Sequence, residues 1–179
     1  ILKNKQKEFN NTIFLISDEP YRELVYDNIE VPYITKYYEN TFVVYSYSKS
    51  LSLPGERIGY VVVPTEMEDS ETVITAVTIA NRVIGCVNAP ALIQKVIGEC
   101  VDLTVDINEY KKNRDLLYNG LIECGFECQK PQGAFYLFLK SPIKDEKEFC
   151  QIAKEFNILM VPGSSFAYPG YVRLSYCVE

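Results

Sequence analysis

A chain of 179 residues, 47% of them hydrophobic, has room for one large domain or two small ones and enough apolar material for a core. Its net charge of −6 argues against nucleic acid as the main partner, because a phosphate backbone needs a basic face. No apolar run reaches the ~18 residues of a membrane span and no signal peptide is visible, so the expectation is a cytoplasmic protein with no membrane partner. Six cysteines, Cys86, Cys100, Cys124, Cys128, Cys150 and Cys177, fit no metal spacing, and there is no histidine. Free, mostly buried thiols are expected, with no metal site and no Ser-His or Cys-His nucleophile.

In chain order, residues 1–9 read as the tail of an amphipathic helix stopped by Asn10 and Asn11. A chain that starts inside an element looks like a piece of something longer. Residues 13–17 form an apolar run short enough for a buried strand, ended by Asp18-Glu19-Pro20-Tyr21. Residues 22–40 are a tyrosine-rich connection with at most a short helix. Residues 41–48 and 58–63 are strands. The loop between them is too short for a crossover helix, so as neighbours they should run antiparallel. Helices are expected over 66–83, from about Asn88-Pro90 to 101, and over 106–124, the last with Leu116, Leu117, Leu121 and Ile122 on its apolar face. The pattern then changes: strands at 126–130, 134–139, 158–161 and 171–176 surround a helix at 145–156, a small α+β layer. The boundary is expected near residue 100.

The chemistry gathers at Ser46-Tyr47-Ser48-Lys49-Ser50-Leu51-Ser52-Leu53-Pro54-Gly55-Glu56-Arg57-Ile58-Gly59. A lysine at a buried strand end needs a reason, because an unpaired buried ammonium is costly; an imine with an aldehyde cofactor removes that charge. Arg57 follows eight residues later, before a strand, where a planar guanidinium fork suits a phosphate. Ser46 and Ser48 add hydroxyls. By type alone each has a plainer reading: a solvated lysine, a surface arginine and loop serines. Asp18 could equally cap a turn, Tyr21 could be packing, and Arg173 could make a strand-edge salt bridge.

This stretch resembles the pyridoxal-phosphate attachment motif of the class I/II aminotransferases, the fold-type I enzymes. Asp18-Glu19-Pro20-Tyr21, Gly133-Ala134-Phe135-Tyr136, Val161-Pro162-Gly163-Ser164-Ser165-Phe166 and Val172-Arg173-Leu174-Ser175-Tyr176 are similar to further landmarks of that family, in the same order. The resemblance implies an α/β fold. Residues 1–100 would be the C-terminal part of a large cofactor domain (a mostly parallel sheet with one antiparallel strand), and 101–179 a small α+β domain with a long linking helix. It implies Lys49 as the catalytic, cofactor-holding lysine and Asp18 on the cofactor's ring nitrogen. Tyr21 falls to the ring oxygen, Ser46, Ser48 and Arg57 to the phosphate, and Arg173 to the substrate α-carboxylate. Amino acid and 2-oxo acid substrates and a homodimer come with it. So does a fragment reading: a glycine-containing phosphate loop, a stacking aromatic and an asparagine precede the equivalent of residue 1, a last helix follows the equivalent of residue 179, and the piece alone is expected to be inactive. A β-lyase, a cyclopropane-carboxylate synthase-like enzyme and an effector-sensing domain of a transcription regulator share much of this pattern and stay open.

Overall fold

The structure is a computed structural model that describes residues 1–177. The chain forms two compact units. The first comprises Ile1–Glu23 and Glu30–Val105; the second comprises Leu24–Ile29 and the chain from Asp106 onward.

The first unit opens with α1 (Leu2–Phe9), closed by Asn10 in the left-handed conformation at φ 46°, which an asparagine tolerates. Its sheet holds β1 (Leu15–Asp18), β2 (Thr41–Ser46) and β3 (Gly59–Val62) in that order. β1 and β2 are parallel, with Asp18 opposite Val44; β2 and β3 are antiparallel, with Ser46 opposite Gly59, as the short loop between them requires. Gly59 is needed at this crossing, because a Cβ there would lie 2.3 Å from the Tyr45 carbonyl oxygen. The strand expected over 41–48 ends at Ser46. Its hydroxyl accepts from the Ser48 N–H (3.2 Å) and starts a one-turn helix, α2 (Tyr47–Ser50). Lys49 therefore sits on helical backbone, not in a loop. Between β1 and β2 the only regular piece is a 3-10 turn at Ile34–Lys36. Helices α3 (Ser70–Val83) and α4 (Ala91–Cys100) follow. α3 begins four residues later than expected because 64–69 form turns, with Asp69 left-handed.

In the second unit, α5 (Ile107–Glu123) is capped by the Asp106 carboxylate, which accepts from the Asn108 N–H at 2.9 Å. α6 (Glu146–Glu155) is capped in the same way by Asp145. Strands β4 (Tyr136–Lys140), β5 (Val161–Pro162) and β6 (Tyr171–Ser175) form an antiparallel sheet in the order β4-β6-β5. One sheet face buries Leu137, Leu139 and Val172. The strand expected over 126–130 reduces to one bridge, Cys128 to Leu139, and the one over 158–161 to the two residues of β5. On α5 the expected apolar stripe is partly wrong: Leu116 and Ile122 are exposed, and the helix's buried side chain is Arg114.

Leu24–Ile29 joins this second unit although it lies in sequence between β1 and β2. The Ala134 N–H donates to the Leu24 carbonyl (2.8 Å) and the Tyr26 N–H to the Gln132 carbonyl (3.0 Å), while the Tyr26 hydroxyl donates to the Ala134 carbonyl. Gly133 admits this contact, since a Cβ would lie 2.9 Å from the Leu24 oxygen. The cysteines are free, but the expectation of mostly buried thiols fails: Cys86, Cys124 and Cys177 are exposed and Cys150 alone among them is buried. No helix among the described residues is long and apolar enough to cross a membrane.

Candidate active site

Parallel pairing puts the C-terminal ends of β1 and β2 on one side of the sheet, the side where open α/β sheets bind ligands. Asp18 ends β1 and is exposed. The next N–H, of Glu19, still bonds to β2, at the Val44 carbonyl (2.8 Å). The turn that follows is fixed by charge. The Glu19 carboxylate pairs with Arg22 at 2.5 Å, with both side chains largely buried. Arg22 also donates to the carbonyls of Val31 (2.8 Å) and Pro32 (3.1 Å) and lies over the Tyr33 ring. Tyr21 is held inside this turn, beside a hollow of about 310 Å³ lined also by Asp18, Val31 and Pro32.

At the end of β2, Lys49 places its Nζ 5.6 Å from the centre of the Tyr21 ring. The Ser46 and Ser48 hydroxyls lie 2.7 Å apart. Arg57 is exposed, left-handed at φ 51°, and donates from Nη1 to the Pro54 carbonyl (2.7 Å). The structure thus brings Lys49 to Tyr21 and Ser46 to Ser48, with Asp18 on the neighbouring strand end. Arg57 lies two residues before the glycine that pairs with Ser46.

A residue that the sequence reading passed over links these parts. The buried Tyr45 hydroxyl bonds to Ser50 Oγ (2.7 Å), next to Lys49, and donates to Glu23 Oε2 (2.8 Å), two residues past Tyr21. Burial pushes the Tyr45 phenol above its usual range, Ser50 offsets this in part, and Glu23 adds to it. Only its place on a strand that leads into the lysine motif could have marked it.

In the second unit, Arg173 follows the alternation expected for it. Val172 is buried in the core, and Arg173 projects from the opposite sheet face with its guanidinium over two rings, 4.2 Å from the centroids of both Tyr136 and Phe166. A groove of about 1250 Å³ in this unit is lined by Phe126, Tyr136, Phe138, Tyr168 and Tyr171, among others, and not by Arg173. Its acid, Glu127, pairs with Lys140 (3.0 Å), and its base, Lys130, with Asp115 (2.8 Å).

A model of the family described as aminotransferase class I and II matches residues 5–179. The chain belongs to the class I and II aminotransferase family. Among the relatives that it matches, an aspartate aminotransferase of Thermotoga maritima is 32% identical over 170 residues, which is 93% of this chain and 43% of that protein. A probable N-acetyl-LL-diaminopimelate aminotransferase of Bacillus subtilis is 31% identical over 169 residues, 92% of this chain and 42% of that protein. The crystal structure of an amino transferase from Eubacterium rectale matches with a TM-score of 0.95 at 57% identity, over 99% of this chain and 45% of that one. The chain therefore spans less than half the length of these aminotransferases.

Proposed function

We propose that this chain forms part of a pyridoxal-phosphate-dependent aminotransferase that moves an amino group from an amino acid to a 2-oxo acid, working as a cytoplasmic homodimer. In this reading residues 1–100 belong to the cofactor domain, with its mostly parallel sheet, and 101–179 to the small domain. The observation that carries the reading is the meeting of Lys49 and Tyr21 at neighbouring parallel strand ends, with Asp18 beside them and the paired hydroxyls of Ser46 and Ser48 one turn away.

The donor set fits the cofactor group by group: an amine for its aldehyde, a carboxylate for its ring nitrogen, a phenol for its ring oxygen, and hydroxyls with a guanidinium for its phosphate. When bound, pyridoxal phosphate supplies an electron-accepting ring that makes a substrate Cα–H acidic. Asp18 would keep the ring nitrogen protonated, and Tyr21 would donate its phenol to the ring oxygen. Ser46 and Ser48 would donate to the phosphate, and Arg57 would add a charged planar fork. Lys49 would anchor the cofactor through its amine and, with that amine free, would be the base that moves the substrate Cα proton. Arg173 would pair with the substrate carboxylate, a planar task for which lysine is a poor substitute.

The relatives are named for different amino acids, aspartate and N-acetyl-LL-diaminopimelate among them, so the reading commits to aspartate- or aromatic-type class I transfer only in its common step. The full-length protein loaded with pyridoxal phosphate should convert 2-oxoglutarate to glutamate at the expense of an amino acid, while the 179-residue chain alone should not. Release of ammonia and pyruvate in place of glutamate would overturn the aminotransferase reading in favour of a β-lyase, and closure of the substrate to an amino-cyclopropane acid without amino transfer would overturn it in favour of a cyclopropane-carboxylate synthase-like enzyme.

A further inference from the structure

The geometry points to Tyr136 and Phe166 as positioning residues that hold the Arg173 guanidinium ready for a carboxylate, an inference that rests on the role given to Arg173 above. Arginine is long and flexible, and on an exposed strand face it would sample many rotamers. Here two rings take that freedom away. Tyr136 lies diagonally across the strand pair, since Phe138 faces Arg173 and Tyr136 faces Ser175 in the β4–β6 register. Phe166 comes from the other side of the sheet order. β5 pairs Val161 with Arg173, and the 3-10 turn Gly163–Phe166 that leaves β5 ends on left-handed Ala167 at φ 56°.

Both rings are themselves held. Phe166 meets Phe138 edge-on, with centroids 6.5 Å apart, and Phe138 stacks on Tyr171 at 5.3 Å and 7°. The Phe166 turn is closed by the Tyr168 N–H on the Gly163 carbonyl (3.0 Å). Its far end is tied down by Glu146, which accepts from the Gly170 N–H (3.1 Å). Tyr136 packs on Phe135 with centroids 4.7 Å apart.

A ring face attracts the cation without using its in-plane N–H donors. Among the described residues no carboxylate or carbonyl accepts from the Arg173 guanidinium, whose contacts are these two rings. The plainer role of a strand-edge salt bridge is therefore not the one it plays here. The arginine is oriented through π contacts, and its hydrogen-bonding edge is kept for a planar, bidentate anion such as a substrate α-carboxylate.

The test uses full-length holoenzyme. Phe166→Leu and Tyr136→Leu should each raise KM for both the amino acid and the 2-oxo acid about tenfold, by loss of a cation–π contact and of orientation. kcat should stay within about twofold and the cofactor absorbance should not change. Phe166→Tyr and Tyr136→Phe, which keep the rings, should stay near wild type. Phe166→Met and Tyr136→Met keep bulk without a π face, so they should reproduce the KM rise even if a leucine variant fails to fold. Arg173→Lys separates the carboxylate role of the arginine from the positioning role of the rings. If it leaves KM unchanged, the carboxylate role of Arg173 falls. If it raises KM while the leucine and methionine variants do not, the positioning role of the rings falls alone. A drop in kcat at constant KM in the ring variants would also overturn it.

Discussion

At the scale of single residues, the buried Tyr45 hydroxyl ties the residue after Lys49 to the segment after Tyr21. Removing it strands a mostly buried Ser50 hydroxyl and a carboxylate that lose their shared partner. Tyr45→Phe should therefore destabilise the protein by about 1–2 kcal/mol, read as a lower denaturant midpoint with the slope of the transition unchanged. An unaltered midpoint would mean that the two bonds contribute nothing net. Two short segments carried the sequence expectation, Asp18 to Tyr21 and Ser46 to Gly59, and the approach of Lys49 to Tyr21 joins them. Tyr45 was not legible in the sequence, because a strand tyrosine carries no mark of what its hydroxyl reaches. The same holds for Arg22 and Glu19, whose buried pairing depends on a fold-back of the chain at Val31 and Pro32.

At the scale of elements, the helices that declare themselves by local chemistry, with Asp106, Asp145 and Pro90 at their starts, lie within a few residues of where the sequence puts them. What the sequence could not show is the strap Leu24–Ile29, whose partners are more than a hundred residues away at Gln132 and Ala134. Its clamp is Arg114 on α5, fully buried, which donates to Asp27 (2.8 Å) and the Pro131 carbonyl (2.9 Å), pairs with Asp115 (2.8 Å), and lies over the Tyr26 ring. A periodicity reading gives such an arginine to solvent, whereas it is the tertiary partners that make its burial tolerable. Arg114→Ala should cost about 3 kcal/mol, measured by chemical denaturation. The acid limb tests the same cluster. Hydrogen bonds from Lys111, then Lys130, with Arg114 behind them, hold the Asp115 carboxyl well below the usual carboxylate range; the hydrogen bond from Arg114 also lowers Asp27. A depressed folded-state value gives stability that is fully present above the unfolded value of about 3.9 and lost as pH falls below it. Stability should accordingly decline below pH about 4, and Asp115→Asn should flatten that decline. An unchanged acid limb in the variant would assign the acid sensitivity elsewhere.

At the scale of the whole molecule, the first unit shows what its sheet and helices leave uncovered. Ile16 on β1, Val61 and Val62 on β3, Ile74, Ile79 and Val83 on α3, and Leu92 and Val96 on α4 are all exposed. That accords with a chain that spans less than half the length of its relatives. Everything proposed for the full-length protein turns on Lys49 as the cofactor's anchor. The direct measurement is borohydride reduction of the full-length protein saturated with pyridoxal phosphate, followed by proteolysis and mass spectrometry. One cofactor-derived mass is expected, on the peptide that carries Lys49, and its loss in Lys49→Ala. The same mass on another lysine, or its persistence in Lys49→Ala, would contradict that role of Lys49.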